Sequence, residues 1–69
     1  MAFFLRAFEN PEGTWTCRQG NHEIDSHPEF EKALSHLHQL ALSIEGPVLI
    51  IAHRLGGHVE HVMEIEPEG

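Results

Sequence analysis

The sequence predicts an α+β fold, a ββαββ two-layer sandwich in which one amphipathic helix packs on one face of a four-stranded antiparallel sheet. Three observations carry that prediction. They are an aromatic-rich apolar run ending at Asn10-Pro11-Glu12-Gly13, an apolar stripe at helical spacing from Phe30 to Ile44, and two apolar runs flanking Gly56-Gly57. At 69 residues the chain has room for one small core, so residues 1–69 are read as a single domain.

The first strand is carried by Phe3, Phe4, Leu5, Ala7 and Phe8. Asn10, Pro11 and Gly13 then occupy the first, second and fourth positions that a type I turn prefers. Thr14-Trp15-Thr16-Cys17-Arg18 is the return strand. A Gly-bulge hairpin would set Phe8 opposite Trp15 and Arg6 opposite Cys17, with Phe4, Phe8 and Trp15 on one side and Phe3 and Leu5 on the other. Gln19-Gly20-Asn21 marks a further turn or bulge, after which His22-Glu23-Ile24 extends or re-enters the sheet.

Ser26-His27-Pro28-Glu29 has the spacing of a capping box, in which the Ser26 hydroxyl accepts from the Glu29 amide. The helix is therefore expected from His27 to Glu45. Phe30, Ala33, Leu34, Leu37, Leu40, Ala41 and Ile44 form its buried face, and Gly46-Pro47 stops it. The last hairpin pairs Val48–Leu55 with His58–Glu66 across a two-residue Gly56-Gly57 turn, because both central positions of such a turn need positive φ. Leu55 then faces His58, His53 faces Glu60, Ile51 faces Val62 and Leu49 faces Glu64. A right-handed crossover through the helix lays the third strand beside the first, giving the order 2-1-3-4.

Charge narrows the function. Four Lys and Arg stand against 11 Asp and Glu, a formal charge of −7, and the basic residues lie on different elements, so direct nucleic-acid binding is not expected. No apolar run reaches the ~20 residues a membrane helix needs, so no membrane partner is expected. Arg6 breaks the apolar run Met1-Ala2-Phe3-Phe4-Leu5, which reads as a strand rather than a secretion signal. A lone Cys17 builds no internal disulfide, which favours a reducing, cytoplasmic location, and in a strand of this character it reads as a small buried hydrophobe.

Enzyme signatures are missing: there is no phosphate-binding Gly-rich loop, nucleophile elbow or HExxH helix. Among the seven histidines, His36 and His38 fall on opposite flanks of the helix stripe. The expected hairpin pairing puts His53, His58 and Glu60 on one face, the only constellation in this reading with the donors for zinc or another divalent ion; otherwise no cofactor is expected.

Leu49, Ile51, Leu55 and Val62 share the face that the helix leaves bare, which calls for a cover and points to a homodimer through sheet face or edge, or to a protein partner. The order of Trp15 in a second strand, an acid-led helix and a closing Gly-turn hairpin broadly resembles small bacterial ββαββ proteins and the sheet-plus-helix antitoxin and double-stranded-RNA-binding folds. Glu29 and Glu31 stand where RNA-binding domains carry basic residues at a helix start, so that function is not carried over. The expected function is a small acidic non-enzymatic interaction or regulatory protein. The alternatives are a metal- or small-ligand-binding protein using the hairpin His/Glu cluster and an acidic nucleic-acid mimic that binds a protein partner.

Overall fold

The computed structural model describes residues 3–66. Six elements follow in chain order: β1 (Phe3–Glu9), β2 (Trp15–Gln19), β3 (His22–His27), α1 (Phe30–Leu42), β4 (Val48–Arg54) and β5 (His58–Ile65). Met1 and Ala2, expected at the start of the first strand, lie outside the described residues. The fold is α+β with one helix on one sheet, and the order β2-β1-β4-β5 is the expected one. Two features differ. The sheet has a fifth strand, β3, on the outer edge of β2, and β4 runs parallel to β1.

Both differences have one cause. With two strands before the helix, the chain returns from it antiparallel to β1; a third strand before the helix reverses the direction of return. β3 forms because Pro28 restricts the backbone of His27 to extended conformations, so the chain stays in the sheet through His27 and Glu29 takes the N-cap position at φ −131°, ψ 146°. The expected capping box is therefore not made: Ser26 sits in β3 opposite Thr16, and no side chain caps the helix. The C-terminal end also comes early. Ser43 Oγ donates to the Leu40 carbonyl at 2.7 Å, satisfying that group locally and ending α1 at Leu42.

Registers shift by one residue at both hairpins. Asn10 N donates to the Thr14 carbonyl at 2.8 Å, so the first loop closes one residue later than expected, and Trp15 faces Glu9 while Cys17 faces Ala7. Trp15 thereby joins Leu5 and Ala7 on the helix side, and Phe4 and Phe8 take the other. In the last hairpin the connection is Leu55-Gly56-Gly57, and Arg54 rather than Leu55 faces His58. A bulge at Val62 absorbs the shift, restoring the expected Leu49–Glu64 pair.

The core lies between α1 and the sheet. Ala33, Leu37 and Ala41 pack on Leu5, Ala7, Trp15, Cys17, Val48, Ile50 and Ala52, all buried. Small residues at 33 and 41 let the helix approach closely, and Leu37 fills the centre with no exposure at all. Among the described residues no helix is long and apolar enough to cross a membrane.

Gly57 has φ +82°, and a Cβ placed there would meet nothing within 4 Å. Gly57→Ala is therefore expected to cost only the left-handed backbone penalty, about 1 kcal/mol. A shift of the urea midpoint at unchanged slope measures it, and a neutral variant would mean that the turn has another conformation.

Candidate metal centre

Strand alternation places chemistry at the β2–β3 edge. Cys17 points under the helix because Trp15, two residues earlier, does. Asp25 on β3 is its cross-strand partner, and His27, two further along, faces the same way opposite Trp15. α1 supplies the fourth group: His36 follows the buried Ala33 by three residues and so projects from the same flank of the helix toward β3. Cys17 Sγ, an Asp25 carboxylate oxygen and one ring nitrogen from each of His27 and His36 all lie within 4.8 Å of one another.

The contacts inside the cluster are short. His27 Nε2 is 3.1 Å from Asp25 Oδ1, His36 Nδ1 is 2.8 Å from Asp25 Oδ2, and the two ring nitrogens are 3.2 Å apart. Each ring nitrogen has one in-plane position, filled either by a proton or by a lone pair. With Asp25 ionised, giving both histidines a proton toward the carboxylate sets two N–H groups against each other; removing either proton sets a lone pair against the carboxylate. No arrangement of protons gives every contact its own hydrogen. One cation at the centre of the group satisfies all of them at once.

Burial is graded across the cluster. Cys17 is fully buried, while the side chains of His27, His36 and Asp25 retain 23%, 30% and 35% of their exposure, so the group has a closed floor and an entry side. Cys17 is pushed up to about 12 by burial first, then by the charge of Asp25 and its hydrogen bond to that carboxylate. In the metal-free protein it is thus a thiol through neutral pH.

The residues expected to hold metal are divided. His58 and Glu60 are 3.9 Å apart on the helix side, where Glu60 Oε1 accepts from Arg54 Nε at 3.0 Å. His53 is on the opposite face, paired with Val59, its ring stacked on Phe8 at 4.2 Å and its Nε2 accepting from Arg6 Nη1 at 2.8 Å. Desolvation, and secondarily the Arg6 charge, hold its pKa below the usual imidazole value. The one-residue shift at the turn is what separates His53 from the other two. The expected interaction residues also scatter: Leu49 and Ile51 are on the bare face, Leu55 is in the turn, and Val62 packs against the core.

Three of the four clustered side chains lie on strands, and their signal was the Asp25-x-His27 spacing, which on a strand puts both on one face. The Ser26–Glu29 capping pattern masked it by assigning His27 to the helix. No family model, curated protein or solved structure matches this chain.

Proposed function

We propose that this protein binds one divalent ion of the zinc class through Cys17, Asp25, His27 and His36, and that the ion fastens β3 and α1 to the sheet. The observation that supports this reading is the convergence of four ligand atoms of three kinds within 4.8 Å. A tetrahedral zinc site with bonds of about 2.0–2.3 Å has ligand–ligand edges of about 3.3–3.8 Å, within reach of small side-chain rotations from this spacing. The donor set favours zinc over calcium or magnesium, which take oxygen ligands. Four protein ligands close the coordination shell, which is the pattern of a structural rather than a catalytic site. A lone thiol ligand also suits the reducing, cytoplasmic setting expected from the cysteine count.

Titration of the chelator-stripped chain with zinc against a competing indicator tests the reading. We expect one zinc per chain, with His27→Gln or His36→Gln weakening it roughly 100-fold, a quarter of a typical structural zinc energy being worth that much. His38→Gln, exposed on the same helix, should change nothing. Uptake that is undetectable, or that survives both His27→Gln and His36→Gln, would overturn the proposal. Sedimentation equilibrium separates it from a homodimeric interaction protein: a dimer indifferent to chelator favours the latter, a zinc-bound monomer the former.

A further inference from the structure

The face of the sheet turned away from α1 carries an arrangement independent of the metal centre. β1 alternation sends Phe4, Arg6 and Phe8 to it, and β4 adds Leu49, Ile51 and His53. Arg18 on β2 is the direct cross-strand partner of Arg6. Like charges in that position repel, and a carboxylate is the ordinary remedy. The chain has 11 acidic side chains to draw on. Yet among the described residues its ion pairs go to Lys32, Arg54 and histidines, and neither Arg6 nor Arg18 has one. Even Glu23, opposite Arg18 on β3, makes no ion pair with it.

Both guanidiniums are nonetheless held in place. Arg6 Cζ lies 5.6 Å over the Phe4 ring and Arg18 Cζ 5.7 Å over Phe8. Arg6 places Nη1 on His53, and Arg18 Nε is shut off from solvent with no hydrogen-bond acceptor among the described residues. Two cations on directly paired strand positions, each held over an aromatic ring and neither neutralised by a carboxylate among the described residues, make a preorganised anion site.

We propose that Arg6 and Arg18 together bind the phosphate of a small phosphate monoester whose apolar or aromatic body lies along Phe4, Leu49 and Ile51. A carboxylate matches one guanidinium fork; a phosphate dianion offers the charge and the three terminal oxygens to bridge two. Phe4 is 43% exposed and Leu49 and Ile51 half-buried, leaving apolar surface beside the cations for the rest of the ligand. The formal charge of −7 repels a long polyanion and so favours a small ligand over a nucleic-acid strand.

An amide NMR titration of the full chain with phenyl phosphate, inorganic phosphate, benzoate and a single-stranded oligonucleotide tests this. Saturable shifts around Arg6 and Arg18 are expected, tightest for phenyl phosphate, weaker for inorganic phosphate and weakest for benzoate. Arg6→Gln and Arg18→Gln should each weaken phenyl phosphate roughly tenfold or more while the amide spectrum of α1 and β5 is unchanged, showing that the fold is intact. The proposal is overturned by the absence of saturation with either phosphate, by equal binding in both variants, or by tighter binding of the oligonucleotide, which would mark a nucleic-acid surface instead.

Discussion

Zinc added to the metal-free chain at about 100 times its dissociation constant is expected to raise Tm by about 10–20 °C. Binding only to the folded state at that ratio contributes about 2.7 kcal/mol, and each kcal/mol moves a domain of this size by roughly 4–8 °C. The effect is large because the protein is small: at ~0.05–0.15 kcal/mol per residue its whole stability is about 3–10 kcal/mol. The ligands come from β2, β3 and α1, so an unfolded chain presents no assembled site and nearly all of the binding energy favours folding.

Differential scanning calorimetry of the wild type and His36→Gln, each with and without zinc, checks the expectation. His36 is partly exposed, so its substitution should leave the metal-free Tm nearly in place and remove the zinc response. The pH dependence has a definite sign. Cys17 enters as a thiol, its pKa pushed up to about 12, and leaves as a metal-bound thiolate, so uptake releases its proton. The zinc-bound state holds fewer protons than the metal-free one; raising the pH across the neutral range therefore tightens binding and enlarges the Tm shift at fixed zinc. A Tm that zinc does not move, or moves equally in His36→Gln, would remove the metal centre from consideration.

Hydrophobic spacing carried the helix face, two glycines between apolar runs carried the second hairpin, and the right-handed crossover carried the strand order. β3 was only partly legible. Its residues, His22-Glu23-Ile24-Asp25-Ser26-His27, include one hydrophobe and two of the types that strands avoid, so no burial pattern announces it. What they do share is a face, on which Asp25 and His27 meet Cys17 and His36. The turn at Gln19-Gly20-Asn21 let His22-Glu23-Ile24 re-enter the sheet, but the capping pattern drew His27 into the helix, and leaving β3 out of the strand count reversed the predicted direction of β4.

The residues His53, His58 and Glu60, expected on one face, are divided between two by a smaller feature, the Leu55-Gly56-Gly57 connection. Two adjacent glycines fit both a two-residue and a three-residue connection, and the choice decides which face every following side chain takes. The bare face, in contrast, was expected from residue counts on both hairpins, and Leu49 and Ile51 do lie on it. Its paired cations were not expected there, since the expected register set Arg6 opposite Cys17 and only the one-residue shift brings Arg18 to that position.

Leu37→Ala is expected to lower the stability of the metal-free protein by about 2–5 kcal/mol, so that in a urea concentration where the wild type stays folded the variant is largely unfolded, and zinc is expected to restore it. Leu37 is fully buried at the centre of the helix–sheet interface, and deleting such a side chain costs about 2–5 kcal/mol in transfer and cavity energy. Set against a total of about 3–10 kcal/mol, that loss is on the order of half the margin, whereas Leu34→Ala, at a half-buried position, should cost less. Trp15, the one tryptophan, reports the outcome because it is buried against Phe30 with ring centroids 4.6 Å apart and reddens on exposure. Zinc returns about 2.7 kcal/mol at 100-fold excess over its dissociation constant, enough to move the population by roughly 100-fold in favour of the fold. The Trp15 emission of Leu37→Ala should therefore shift back toward the native wavelength on adding zinc, and that recovery should vanish when His36→Gln is combined with it. Because Leu37 and the ligand position His36 are adjacent on one helix, the combined variant distinguishes a metal that holds α1 on the sheet from one that merely sticks to the unfolded chain: the first gives recovery only with His36 present, the second gives none in either.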